Sequence, residues 1–150
     1  MRIPNSFVTR FTQASDLKLA CVFYSLIHKN TKRNLLGYEI TVKQTTLVSL
    51  CGFSVSTVKR AASSLLKSGF IKSQKRQTNA PGKLGTYTYT IEAVSTASKY
   101  FTMDKKLMSR LNGNEFRVYA MCCKLADSSH KSFFQSYNDL SQLLGMSRQD

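Results

Sequence analysis

The chain has 150 residues, of which 22 are Lys or Arg and 8 are Asp or Glu, so its formal net charge is +14. A composition with 42% hydrophobic and 20% charged residues is typical of a folded globular protein and excludes a disordered chain. The longest apolar run, residues 19–27, is too short to span a bilayer and too far from the start to be a signal peptide. We therefore expect a cytoplasmic protein with no membrane partner.

The positive charge is concentrated in the first two thirds of the chain. Residues 1–99 contain 15 basic and 3 acidic side chains, whereas residues 100–150 contain 7 and 5. A surplus of this size attracts polyanions, and nucleic acid is the commonest partner of a soluble chain that carries it. The distribution places a nucleic-acid surface within residues 1–99.

Cysteine and histidine show no spacing that indicates a metal site. Cys21, Cys51, Cys122 and Cys123 lack a C-x-x-C pair, and the two histidines stand alone. We interpret the cysteines as small reduced core residues, with zinc ligation or disulfides as the alternative. The sequence predicts neither a metal nor a cofactor.

The first 42 residues predict an extended arm and short helix, a core helix, a loop and a strand. From Ser15, expected as the helix cap, and Asp16, suited to the first turn, apolar residues recur at helical spacing. Residues 29–37 predict a loop, and residues 38–42 alternate as a strand does. The predicted apolar side of the helix consists of Leu17, Leu19, Ala20, Cys21, Phe23, Tyr24, Leu26 and Ile27.

Two helices separated by a glycine turn come next. A short helix is expected from Thr41 or Lys43 to Cys51, and Gly52 ends it. The second helix, residues 54–69, has Ser54 as its expected N-cap and Gly69 as its expected left-handed stop. Its predicted buried stripe is Val55, Val58, Ala62, Leu65 and Leu66.

The opposite face of the second helix has hydrogen-bond donors and cations but no acid. Taken alone, it could be the solvated side of an ordinary surface helix. A short helix, a tight turn and a longer helix form the helix-turn-helix arrangement, in which the second helix enters the major groove of DNA. This face consists of Ser56, Thr57, Lys59, Arg60, Ser63, Ser64 and Lys67.

A basic hairpin is predicted after the second helix. Strands are expected at residues 71–77 and 86–91, joined by a loop at 78–85 that is rich in turn-forming residues. Tyr87 and Tyr89 share a face and could stack on bases, although packing on the helices is the favoured interpretation. The hairpin carries four cations and no acid, namely Lys72, Lys75, Arg76 and Lys83.

Residues 92–99 predict a linker, after which the pattern repeats. Residues 115–125 match 16–26 in polarity, and residues 140–147 match 47–54 with the same spacing from leucine to glycine. We expect a winged helix-turn-helix DNA-binding domain at residues 1–91 and an incomplete second winged-helix-like unit at residues 100–150. The expected fold class is α+β, mainly α with a small β-hairpin.

The segments YEITVKQTTLVSLCGFSVSTVKRAASSLLKSGFIKSQKRQ and GTYTYTI resemble the winged-helix domains of bacterial helix-turn-helix proteins. The second unit, with its LNGNEFRVY stretch, is similar to replication initiators of plasmids and phages and to DnaD-like primosome proteins. The resemblance implies DNA contacts in the groove and on the wing. It assigns the groove to Ser54, Ser56, Thr57 and Arg60, and the wing to Lys75, Arg76 and Lys83.

The predicted function is binding of double-stranded DNA, in replication initiation or, alternatively, in transcription regulation. A homodimer or a protein-interaction module is a further option. Arg60 is a candidate for guanine readout, with a phosphate contact as its alternative, while Lys59 and Lys67 suit phosphates or solvent. Backbone groups at Lys43, Gln44 and Thr45 could hold a phosphate at a helix start.

Enzymatic activity and a small-molecule substrate are not expected. Nuclease or phosphoryl-transfer chemistry would need clustered carboxylates to hold metal ions. Residues 1–99 offer only Asp16, Glu39 and Glu92, which are far apart in sequence. The sequence also has no phosphate-binding glycine loop.

Overall fold

The structure, a computed structural model, describes residues 1–80, 83–94 and 99–128 and has a mixed α+β architecture. The first half contains β1 (Arg2–Pro4), α1 (Ser6–Arg10), α2 (Ala14–Ser25), β2 (Gly37–Val42) and α3 (Gln44–Cys51). It continues with α4 (Val55–Ser68), β3 (Ile71–Ala80), β4 (Lys83–Glu92), β5 (Tyr100–Thr102), a 3-10 turn (Lys105–Leu107) and α5 (Gly113–Ser128). The expected α+β class is confirmed at this level.

Helix α2 is the central element of the core. Its residues from Leu17 to Phe23 are all buried, Lys18 included. The predicted Ser15 cap is wrong, because Gln13 has the extended backbone of the N-cap and Ser15 lies inside the helix. Ile27 lies outside the helix, which ends at Ser25, and packs on the core only in part.

The predicted ends of the helix pair are confirmed. Gly52 follows α3 in the left-handed conformation at φ 71°, and Gly69 follows α4 at φ 86°. Ser54 has an extended backbone, and its side chain accepts a hydrogen bond from the Thr57 amide. A cap and a left-handed glycine depend on local residues alone, which is why the sequence located them.

The buried stripe of α4 differs from the predicted one. Val58, Ala61, Ala62 and Leu65 are buried, whereas Val55 and Leu66 are 47% and 42% exposed. The packed positions are spaced by three and four residues and centre on the two alanines, which allow close approach. The stripe is therefore narrower than expected, and the exposed face is wider.

The strands β2, β4 and β3 form an antiparallel sheet in that order. The hairpin ladder reaches the pairs Thr78↔Leu84 and Ala80↔Lys83, so the loop predicted at residues 78–85 is mostly strand. The pairing register shifts near both pairs, and such irregularities allow turn-forming residues to lie within paired strands. Only residues 81 and 82 remain between the strands, and they lie outside the described residues.

A second small sheet joins the start of the chain to the segment that begins at residue 99. β1 pairs antiparallel with β5, and Ile3 lies opposite Phe101. Phe101, Met108 and Phe116 are buried in the same core cluster as Leu17. The described part of residues 100–150 therefore shares a core with the first half, while the division into two domains stays a prediction.

Both segments have the same order of elements: strand, short helix or 3-10 turn, then long helix. In the first segment these are β1, α1 and α2, and in the second β5, the turn at Lys105–Leu107 and α5. The predicted match of residues 140–147 to 47–54 lies outside the described residues, as do residues 95–98 of the expected linker.

Candidate nucleic-acid interface

Three hydroxyls cluster at the start of α4. Ser54 Oγ lies 3.1 Å from Ser56 Oγ and 2.9 Å from Thr57 Oγ1, and it accepts from the Thr57 amide at 3.3 Å. The hydrogen bonds among them are exposed, and the helix dipole makes this end positive. This end of the helix therefore offers donors to an anionic or polar ligand.

The exposed side of α4 continues the predicted polar face with two exceptions, Thr57 and Ser64, which are half-buried. Lys59, Arg60, Ser63 and Lys67 are exposed. Ser64 is half-buried and donates a hydrogen bond to Asp16 Oδ2 at 2.6 Å. Its hydroxyl is therefore bonded to α2, and the exposed face consists of Ser56, Lys59, Arg60, Ser63 and Lys67.

The start of α3 is exposed as well. Lys43 has the extended N-cap conformation without a side-chain cap hydrogen bond, and the first turn has no acid. Lys43 and Thr45 are exposed and Gln44 is half-buried. Unpaired amides at a helix start, next to a cation, suit a phosphate group.

The cations of the hairpin point to both faces of its sheet. Lys75 lies opposite Thr88 and Arg76 opposite Tyr87, and both cations are exposed. The Arg76 guanidinium carbon lies 5.1 Å from the centroid of the Tyr87 ring. Lys83 begins β4, but its side chain is outside the described part of the chain.

The tyrosines of β4 pack inward, as favoured from the sequence. Tyr89 is fully buried, and its ring centroid is 4.8 Å from that of Phe23. Burial raises the pKa of Tyr89 to about 12. Tyr87 is half-buried between Arg76 and Tyr89, so neither ring is open on both faces for base stacking.

The sheet face opposite Tyr87 and Tyr89 carries pairs of hydrogen-bonded hydroxyls, which sequence reasoning missed. Thr41 Oγ1 lies 2.9 Å from Thr88 Oγ1, and Ser73 donates to Thr90 Oγ1 at 2.9 Å. The alternating threonines of β4 were the available signal. Lys75 shares this face, because it pairs with Thr88 in the register.

Of the three acids in the first 99 residues, Glu39 and Glu92 pair with cations outside α4, whereas Asp16 accepts the hydrogen bond from Ser64 of α4. Glu39 pairs with Lys32 at 3.5 Å, and Glu92 contacts Arg10 and, at 3.9 Å, Lys72. The hydrogen bond from Asn34, with help from Lys32, lowers the pKa of the Glu39 carboxyl. Among the described residues, no ion pair neutralises Lys43, Lys59, Arg60 or Lys67.

Lys18 is a second feature that sequence reasoning missed. The side chain is fully buried, and its amine donates a hydrogen bond to the backbone oxygen of Leu111. The nitrogen lies 4.6 Å from the Phe53 ring centroid and 5.6 Å from that of Phe116. Burial lowers its pKa, although Cys51 and Glu115 act in the opposite direction. The sequence signal that could have indicated its burial was a lysine inside an apolar run with helical spacing.

Cys21, Cys51, Cys122 and Cys123 form no disulfide, and Cys21 and Cys51 are buried. Burial raises the pKa of the Cys51 thiol to about 12, while the charge of Lys18 acts to lower it. Within the described part of the chain, no group of three or more His, Cys, Asp or Glu is placed to hold a metal ion. None of the described helices combines the length and the apolarity that crossing a membrane requires.

No family model matches this sequence, and neither a curated protein nor a solved structure matches it. The geometry and the charge of the chain itself are therefore the basis for assigning a function.

Proposed function

We propose that this chain is a winged helix-turn-helix protein that binds double-stranded DNA through α4 and the β3–β4 hairpin. The observation that carries the proposal is the run of α3, the Gly52 turn, the capped helix α4 and an antiparallel hairpin. The exposed face of α4 holds Lys59 and Arg60 and no carboxylate. In this arrangement the second helix lies in the major groove and the hairpin is the wing.

Each set of side chains has its own role in the proposal. Arg60 contacts a guanine edge, and losing such a contact costs about 1–3 kcal/mol of discrimination between bases. Ser54, Ser56 and Thr57 contact the groove at the helix start. Phosphates are held by the cations and helix-start groups Lys43, Gln44, Thr45, Lys59, Ser63, Lys75, Arg76 and Lys83.

The proposed biological role is replication initiation for a plasmid, a phage or another mobile element in a bacterial cytoplasm. The repeated order of strand, short helix or turn and long helix supports a tandem arrangement of this kind. A transcription regulator with the same fold is the alternative. Maintenance of a plasmid that carries the candidate origin tests the replication role. Repression of a reporter gene with the same DNA site tests the role in transcription.

A salt titration with a labelled duplex of random sequence tests the DNA proposal. Fluorescence anisotropy measures the affinity between 50 and 200 mM salt, where each neutralised phosphate adds about −0.9 to the log–log slope. We expect a slope of about −5 for roughly six contacts. The double variant Arg60→Ala, Lys75→Ala is expected to lose at least about tenfold in affinity.

The matched control is Lys29→Ala, Lys106→Ala, which removes the same charge from exposed positions outside the interface. Equal losses in both double variants would mean that only the net charge matters, against the proposal. Undetectable binding of the wild type at about 50 mM salt would also refute it.

A protein-interaction module, including a homodimer, is the second candidate. One observation favours it: Leu35 is 105% and Leu36 56% exposed, in a loop closed by hydrogen bonds from the amides of residues 36 and 37 to Asn34 Oδ1. Sedimentation of the wild type and of Leu35→Ser, Leu36→Ser measures self-association. This candidate would be favoured if the wild type formed dimers that the two leucine substitutions dissociate, and if the protein bound no duplex.

A further inference from the structure

The turn between α3 and α4 is enclosed by a residue of α2 and by the backbone of residues 109–111. From α2, the amine of Lys18 lies over the Phe53 ring and donates to the Leu111 backbone oxygen. On the other side, a Cβ placed on Gly52 would come within 2.4 Å of the Ser109 backbone oxygen. The turn Cys51–Phe53 therefore packs directly on the second part of the chain.

This turn sets the position of the proposed DNA-contacting helix. Phe53 directly precedes Ser54, whose side chain caps α4 and lies among the exposed hydroxyls of the helix start. A shift of Phe53 consequently moves the groups proposed to lie in the groove. A displacement of about 1 Å is enough to disturb hydrogen bonds of ordinary length.

The amine of Lys18 makes contacts that an apolar side chain at this buried position could not make. Among the described residues its amine has no ion-pair partner, and a buried cation is costly to desolvate. The ammonium makes two directed contacts, because it lies over the Phe53 ring and donates to the backbone oxygen of Leu111, which is 93 residues from Lys18 in the chain.

We propose that Lys18 is a positioning residue that couples the segment 109–116 to the DNA-contacting helix by holding the turn Cys51–Phe53 against it. The inference rests on the proposed function and adds its regulation: any ligand or partner that shifts residues 109–116 changes the affinity for DNA. By linkage, DNA changes the affinity for that ligand by the same factor.

We call the contacts of Lys18 with the Phe53 ring and with the Leu111 backbone oxygen the clamp. The variant Lys18→Met tests the clamp, because methionine fills much of the space but has no ammonium. Lys29→Met is the control, since it removes one charge from an exposed loop residue. Asn112→Ala perturbs the segment directly after Leu111, where Asn112 and Glu115 exchange hydrogen bonds of 2.8 and 2.9 Å at the start of α5. None of the three residues belongs to the proposed DNA interface.

We expect folded Lys18→Met to bind the random-sequence duplex at least about fivefold more weakly than wild type and Lys29→Met. Asn112→Ala should weaken binding in the wild-type background and have little further effect in Lys18→Met, because the connection is already broken. Such non-additivity identifies coupling between the two positions. Unchanged affinity of Lys18→Met, or effects that simply multiply, would overturn the proposal.

Cys51 gives a readout that does not depend on DNA. Its thiol is buried beside Lys18, so alkylation by iodoacetamide, located by peptide mass mapping, reports whether the turn has opened. Both Lys18→Met and Asn112→Ala should label Cys51 faster than Lys29→Met does. If Lys18→Met fails to fold, Asn112→Ala alone decides, and unchanged labelling together with unchanged affinity refutes the clamp.

The Cys51 measurement also separates the two proposals. A wild type that binds no duplex would end the proposed function, while faster labelling in the variants would still show that the clamp holds the turn. Labelling in Asn112→Ala no faster than in Lys29→Met would end the clamp, whether or not the wild type binds DNA, because Asn112→Ala keeps the Lys18 charge that acts to lower the Cys51 pKa.

Discussion

The Tyr89 side chain is fully buried against Phe23, and its hydroxyl has no hydrogen-bond partner among the described residues. An unpaired hydroxyl in a core costs about 1–3 kcal/mol. The roles of Lys18 and Ser64 likewise depend on their surroundings. Both are polar residues of helices, and both side chains bond to other segments of the fold. Residue type alone did not indicate these roles.

Tyr89→Phe should raise the free energy of unfolding at neutral pH by about 1 kcal/mol, because it removes the unpaired hydroxyl. It should also change the response to alkali. The folded pKa of about 12 lies above the unfolded value near 10, so the unfolded state loses its proton first. The stability of the wild type therefore falls as pH rises from about 10 to 12, by up to about 1.4 kcal/mol per pH unit from this group.

Urea unfolding between pH 7 and 11 measures both effects. The half-buried Tyr87 supplies the control, and Tyr87→Phe should change the stability by less than about 0.5 kcal/mol at neutral pH. A Tyr89→Phe variant that is less stable than wild type at pH 7 would show that the hydroxyl has a favourable partner.

Among the helices, the ends of α3 and α4 were predicted correctly from the sequence. The buried stripe of α4 was not. Ser54, Gly52 and Gly69 cap helix ends through interactions with residues close to them in the chain. The positions of these ends could therefore be predicted from the sequence. The hairpin was predicted shorter than it is, because turn-forming residues are tolerated where the ladder shifts register.

The two left-handed glycines give a matched pair of variants. Gly52→Ala should lower the free energy of unfolding by more than Gly69→Ala, although both strain a left-handed residue by about 1–2 kcal/mol. The reason is space: a Cβ at residue 52 meets the Ser109 backbone oxygen at 2.4 Å, whereas at residue 69 the nearest atom is Lys72 Nζ at 4.0 Å. Chemical unfolding of the two variants makes the comparison. Equal losses would mean that the turn does not pack tightly on residue 109.

At the scale of the whole molecule, the two parts of the described chain share one core. β1 pairs with β5, and Phe101, Met108 and Phe116 belong to the cluster that contains Leu17. The small sheet has two strands, which are marginal without packing on other elements. The basic first part is therefore tied to the nearly neutral second part.

A fragment of residues 1–94 should unfold at a lower urea midpoint than the full chain, or fail to unfold cooperatively. The cut removes the partner strand of β1 and exposes apolar side chains of α2, each of which contributes about 1.5–3 kcal/mol when buried. Circular dichroism during urea titration measures this. A fragment with the full chain's midpoint would show instead that residues 1–94 form an independent domain, as the predicted boundary implies.

The class of fold, the ends of α3 and α4, the basic hairpin and the surplus of positive charge were predictable from the sequence, because each depends on composition or on residues near in the chain. The open face of α4, the hydrogen bond from Ser64 to Asp16 and the contacts of Lys18 with Phe53 and Leu111 follow from the three-dimensional packing. These contacts join residues 35 to 93 positions apart, and no local pattern of spacing records which distant segment will cover a given side chain.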